Sequence, residues 1–148
     1  MLDTIARHGL RPERIGIEVT ESTLAENIDI AFHELKALHE AGVFISIDDF
    51  GTGYSLLSYL QKLHANELKI DKSFIDNVPH DVNDSAICET IIQMGIHLGL
   101  HVVAEGVESE EQAEYLLEKG CRTAQGFWFA RPQSADDLRK LFAAQVSR

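Results

Sequence analysis

The chain has 148 residues, 45% hydrophobic and 25% charged, which is the size and make-up of one soluble globular domain with its own core. A formal net charge of −11 excludes a general DNA- or RNA-binding surface, which needs a basic face. It leaves room for a small phosphorylated ligand, because bound cations invert the local charge.

No apolar run approaches the ~18 residues of a membrane span. Met1–Leu10 carries no secretory core, so the chain reads as cytoplasmic, with no membrane segment. Cys88 and Cys121 lack CxxC spacing and read as two buried, reduced thiols, in keeping with that compartment.

Strand and helix patterns alternate along the chain. Arg14–Thr20 reads as a strand. Ile28–Glu40 carries Ile28, Ala31, Phe32, Leu35 and Leu38 at helical spacing, with Gly42 as its stop. Val43–Ile47 predicts a buried strand and Ser55–Leu63 a short helix. Glu67–Ile70 predicts a strand, with a helical turn near Phe74. Asp84–Leu98 is a long helix, stopped by Gly99, and His101–Ala104 a strand. Ser109–Glu118 is a helix with a serine cap and glutamates in its first turn. Gly120 stops it, Arg122–Gln125 is a short strand, and Ser134–Ala144 the last helix.

Five consecutive β-then-α units, without linker or repeat, predict an α/β fold with a parallel sheet. Right-handed crossovers bring every strand's C-terminal end to one face. A doubly wound sheet and part of a (β/α)8 barrel both fit, and five units are too few to close a barrel.

The strand ends carry the chemistry. Strand one delivers Glu18, with Thr20 and Glu21 just after; strand two, Asp48 and Asp49; strand three, Lys69 and then Asp71; strand four, Glu105 and then Glu108; strand five, Gln125. Charges at the end of an apolar strand are costly unless paired. Hard oxygen ligands suit Mg²⁺, Mn²⁺ or Ca²⁺. Acids at strand ends also cap helices, and Lys69 also reads as an ion-pair partner. A lysine among acids on five successive strands points instead to a site where a cation orients water or neutralises a phosphate.

Other motifs carry less. Asp49-Phe50-Gly51 copies a kinase triplet without the rest of that signature. Gly51-Thr52-Gly53 lacks the third glycine of a dinucleotide fingerprint, and His33 and His39 do not share a helical face. His97 and His101 read as surface or partly buried residues. Phe127 and Trp128 read as core packing, with base stacking as the alternative.

Ile17-Glu18-Val19-Thr20-Glu21-Ser22, Asp48-Asp49-Phe50-Gly51-Thr52-Gly53-Tyr54-Ser55, Leu68-Lys69-Ile70-Asp71-Lys72-Ser73-Phe74, Val103-Ala104-Glu105-Gly106-Val107-Glu108 and Gln125-Gly126-Phe127 resemble the EAL domain. They keep that family's order and spacing over nearly the whole chain. The resemblance implies a (β/α)8-type barrel that hydrolyses cyclic di-GMP to linear pGpG with two Mg²⁺ or Mn²⁺ ions. It implies Glu18 as ligand of the first metal, Asp48 as the bridge between both, and Asp49 and Glu105 as holders of the second. Lys69 would position the attacking water, and Glu108, Gln125 and Asp71 would support the metals and substrate. Glu21 would anchor the loop Phe50–Ser55, which couples the site to dimerisation.

The Glu-Ala-Leu motif and the asparagine that completes the first metal's shell lie upstream of anything in this sequence. Residues 1–148 therefore read as a single, N-terminally truncated domain of about five units. Edges at Ile15–Val19 and Thr123–Gln125 would be open, which predicts self-association, an EAL-type dimer or instability. Three functions compete: the phosphodiesterase, a non-catalytic remnant that binds cyclic di-GMP or a related protein, and an enolase-type barrel. The five motifs disfavour the last.

Overall fold

The computed structural model describes residues 1–26, 28–52, 60 and 62–146. Its elements are α1 (Leu2–Arg7), β1 (Gly16–Thr20), α2 (Glu21–Glu26), α3 (Ile28–Glu40), β2 (Phe44–Phe50), β3 (Glu67–Ile70), α4 (Val82–His97), β4 (His101–Ala104), α5 (Glu110–Glu118), β5 (Thr123–Ala124) and α6 (Ala135–Val146). The five strands form one sheet in the order β1-β2-β3-β4-β5, and every neighbouring pair is parallel.

This order follows from the sequence alternation, because each helix returns the chain to lay the next strand beside the last. The central strands are buried on both sides. Ile45, Ile47, Leu68, Ile70 and Ala104 are all inaccessible, which explains runs of apolar residues in place of strict alternation. Helix α4 lies against them through Cys88, Ile91, Ile92 and Gly95. A Cβ at Gly95 would stand 2.5 Å from Val102 Cγ2, so glycine lets the helix approach β4.

Local chemistry sets the helix ends. Asp81 accepts hydrogen bonds from the N–H groups of Asn83 and Asp84, so α4 begins earlier than the expected Asp84. Ser109 and Gln112 form a reciprocal capping box on α5. Gly42 has φ +97°, and the Val43 N–H reaches the Leu38 carbonyl at 3.0 Å in the same turn that brings the Gly42 N–H to the His39 carbonyl at 2.9 Å.

Some boundaries move. The expected strand from Arg14 starts with a 3₁₀ turn, Pro12–Arg14, because proline presets the helical φ, and β1 begins at Gly16. Strand β2 does not stop at Ile47 but runs to Phe50. Strand β5 shrinks to Thr123–Ala124, and α1 and α2 add helix where none was expected. The helix expected over Ser55–Leu63 lies largely outside the described residues. Phe127 and Trp128 are not core: they are 51% and 45% exposed, because the chain leaves the sheet after Gln125 and turns, with Phe129 N–H on the Gly126 carbonyl.

Cys88 and Cys121 are free and buried. At the N-terminal ends of the strands, His101 bridges Glu67 Oε2 (2.9 Å) and Thr123 Oγ1 (2.8 Å), and Ser46 Oγ donates to Glu67 Oε1 (2.9 Å). That network stitches four strands together at the end opposite the site. Among the described residues no helix is long and apolar enough to cross a membrane.

Candidate active site

Successive side chains on a regular strand point to opposite faces, so neighbouring acids should not share a site. Asp48 and Asp49 escape that rule. The pairing of β2 with β3 is irregular between Ile47 and Phe50, and Asp49 has φ +52°. Aspartate tolerates this left-handed backbone better than most residues. The bulge re-aims the second acid. One carboxylate oxygen each from Asp48, Asp49 and Glu105 then lies within 4.8 Å of the others.

Lys69 stands among these acids because β3 lies between β2 and β4. Its Nζ is 2.7 Å from Glu105 Oε1, 3.0 Å from Asp48 Oδ1 and 3.2 Å from Glu18 Oε1. The residue is only 8% exposed. Burial works against its charge, but Glu105, Asp48 and Glu18 outweigh burial and hold the ammonium's pKa above the usual lysine value. Burial pushes the Glu105 carboxyl up. Lys69 draws it down, Asp48 and Asp49 add to the rise, and the net direction is upward. Gln125 Nε2 donates to Glu105 Oε1 at 2.6 Å, fixing the carboxylate from β5's end.

The donor set fits a hard divalent cation. It is all oxygen, from acids on adjacent strands. Asp48 Oδ1 is buried, and the Lys69 ammonium at 3.0 Å is the partner that faces it. A carboxylate oxygen keeps further lone-pair capacity beside one ammonium, so the same oxygen can also face a metal ion. Asp48, Asp49 and Glu105 could hold such an ion, with Glu18, whose side chain is 60% exposed, at the margin.

The supporting residues sort less evenly. Glu21 is buried and accepts a 2.9 Å hydrogen bond from the Gly51 N–H, at the start of the expected loop; residues 53–55 of that loop lie outside the described residues. Glu108 Oε1 accepts from Lys72 Nζ at 2.7 Å, and Asp76 Oδ1 lies 2.8 Å from the same ammonium. Asp71 Oδ1 accepts from the Ser73 N–H (3.0 Å) and hydroxyl (2.5 Å), capping the 3₁₀ turn Lys72–Phe74.

Lys72 was not anticipated, although its i,i+4 spacing to Asp76 was a legible signal. A cavity of about 670 Å³ opens beside the acids, lined by Lys72, Glu108, Gln125, Phe127 and Arg131 among others. The Arg131 guanidinium lies over the Phe127 ring at 4.5 Å.

Acids, an amide and a lysine gathered at the C-terminal ends of parallel strands are how barrel enzymes build their sites. The chain belongs to the EAL domain family, which it matches over residues 1–132. It is 48% identical over 136 residues to the bifunctional diguanylate cyclase/cyclic di-GMP phosphodiesterase MucR of Pseudomonas aeruginosa, an alignment covering 92% of this chain and 20% of that protein. It is equally similar, at 48%, to the cyclic di-GMP phosphodiesterase NbdA of the same organism, covering 92% of this chain and 17% of that one.

Among solved structures, a PaMucR phosphodiesterase in complex with c-di-GMP superposes with a TM-score of 0.85 at 48% identity, covering 93% of this chain and 56% of that one. A manganese/cyclic di-GMP complex of Klebsiella pneumoniae BlrP1 gives a TM-score of 0.79 at 39% identity, covering 88% and 33%. The five-stranded parallel sheet is thus part of a (β/α)8 barrel. The chain spans about a fifth of the length of these curated relatives.

Proposed function

We propose that residues 1–148 are the C-terminal part of a phosphodiesterase domain that opens cyclic di-GMP to linear pGpG with Mg²⁺ or Mn²⁺. The observation that carries this reading is the convergence of Asp48, Asp49 and Glu105 within 4.8 Å of one another, with the buried Lys69 on Asp48 and Glu105. The names of MucR and NbdA and the cyclic di-GMP complexes of PaMucR and BlrP1 support the substrate.

Asp48, Asp49 and Glu105 would hold the ions, and Glu18 would complete the margin. Bound ions would supply an activated water and neutralise charge on the phosphodiester. Lys69 places a permanent positive charge where phosphoryl oxygens would gain negative charge. Gln125 keeps Glu105 from rotating away. Lys72 and Arg131 offer cations to phosphates along the cavity, and the exposed Phe127 offers an aromatic face to a purine. Glu108 and Glu21 support from either side, through Lys72 and through the Gly51 loop. That loop is the proposed link to an EAL-type dimer, and the cytoplasm is the proposed setting.

One observation favours a second reading, cyclic di-GMP binding or protein pairing without turnover. Strands β1 and β5 are each paired along one side only among the described residues, which leaves Glu18 exposed. The purified chain, given cyclic di-GMP and Mn²⁺ and followed by chromatography, separates the two. Formation of pGpG that vanishes in Asp48→Asn supports the phosphodiesterase. Calorimetric binding of cyclic di-GMP without product supports the second reading.

A further inference from the structure

We infer that the Lys69 ammonium is a built-in counter-cation that competes with the divalent ion for the same carboxylates, and so sets how tightly the ion binds. This rests on the reading that the acids hold such an ion.

An ammonium has three N–H donors, and three carboxylates, Glu18 of β1, Asp48 of β2 and Glu105 just after β4, stand at 3.2, 3.0 and 2.7 Å from Nζ. The site is therefore not an empty bowl of negative charge. It is a buried cation already surrounded by the oxygens a metal would need. Glu105 Oε1 is doubly engaged, by Lys69 and by Gln125 Nε2 at 2.6 Å. A divalent ion that draws on Asp48 and Glu105 takes partners from a side chain that is largely out of water. A buried charge that loses its partners is costly, and two cations at close range repel.

Ion loading is then an exchange. As the ion gains oxygens, Lys69 gives up its own and becomes available to an anionic substrate. Without the ion, the lysine stays locked onto Glu105, Asp48 and Glu18. The arrangement is an interlock, in which the lysine meets a phosphodiester only after the carboxylates have a different cation.

Mn²⁺ titration by calorimetry tests this on the full chain, comparing the native sequence, Lys69→Met and Lys36→Met. Lys36 is exposed on α3 and pairs at 3.8 Å with Glu40, so its replacement changes net charge equally without touching the site. Lys69→Met is expected to bind Mn²⁺ at least roughly tenfold more tightly than the native chain, and Lys36→Met less than about twofold. Equal or weaker binding by Lys69→Met, or an equal gain in Lys36→Met, would overturn the inference.

A second measurement needs no variant. In the ¹⁵N-lysine-labelled native chain, the Lys69 Nζ resonance should shift and its protons exchange faster on Mg²⁺ addition. Ion binding that leaves this resonance unmoved overturns the interlock and spares the metal reading. No ion binding by the native chain at millimolar Mn²⁺ or Mg²⁺ overturns both.

Discussion

The backbone N–H of Gly51 donates a 2.9 Å hydrogen bond to the buried carboxylate of Glu21, tying the end of β2 to the first residue of α2. Removing that acceptor leaves a backbone donor unpaired where the strand enters the site. Glu21→Ala is expected to lower stability by about 1–3 kcal/mol. Glu21→Gln keeps an acceptor of the same reach and should lose less. Urea unfolding of both variants checks the order; equal losses would show that the hydrogen bond to Gly51 is not what matters.

Asp49 combines a carboxylate with a left-handed backbone, φ +52°. Replacing it by Asn and by Ala removes the same charge, so the difference between the two variants isolates the backbone. Asn tolerates this conformation and Ala does not. Asp49→Ala should therefore melt below Asp49→Asn, by the equivalent of about 1 kcal/mol, in chelator-treated protein. Coincident melting curves would mean that the bulge relaxes without cost.

Gly95 and Val102 share one volume, since a Cβ on the glycine would stand 2.5 Å from Val102 Cγ2. Gly95→Ala should destabilise by about 1–3 kcal/mol through overpacking, despite alanine's better helix propensity. Trimming the partner should return part of that loss. The double variant Gly95→Ala, Val102→Ala is expected to be more stable than the sum of the single effects. Strict additivity in chemical denaturation would reject the contact.

Burial pushes the Cys88 thiol up to about 12, with Cys121 and Glu89 adding to the rise. An unfolded thiol ionises near ~8.5. Above that pH the unfolded chain has shed a proton that the folded chain keeps, so the unfolded state gains. Stability should be level below pH ~8.5 and fall on the alkaline side until the folded thiol also ionises, with a slope of at most about 1.4 kcal/mol per pH unit for this group. Urea midpoints from pH 7 to 10 measure it. Cys88→Ala should flatten the alkaline limb, and an unchanged slope would assign the effect to other groups.

Much of this was written locally. The Ser109 cap, the turn at Gly42 and the helix Ile28–Glu40 stand where short-range signals put them, because caps and periodicity act within a few residues. The parallel α/β sheet was legible from the strand–helix alternation, which fitted a doubly wound sheet as well as a barrel; the barrel came with the resemblance, and five strand-end motifs sufficed for the family.

Exposure was less legible. Phe127 and Trp128 look like core residues in sequence, yet they sit on the turn that follows β5. Asp71 also has a local task that its strand-end position does not announce, since its Oδ1 accepts from the Ser73 N–H and hydroxyl.

By itself the sequence determined which residues would gather at one end of the sheet, because parallel strands all finish on the same side. It also determined the hard-oxygen chemistry, through the residue types at those strand ends. Only the tertiary structure decided which of the acids meet. A bulge and a left-handed Asp49 bring two neighbouring carboxylates to Glu105, and the order of three strands seats Lys69 among them. That outcome depends on the relative register of strands tens of residues apart, which no local pattern encodes.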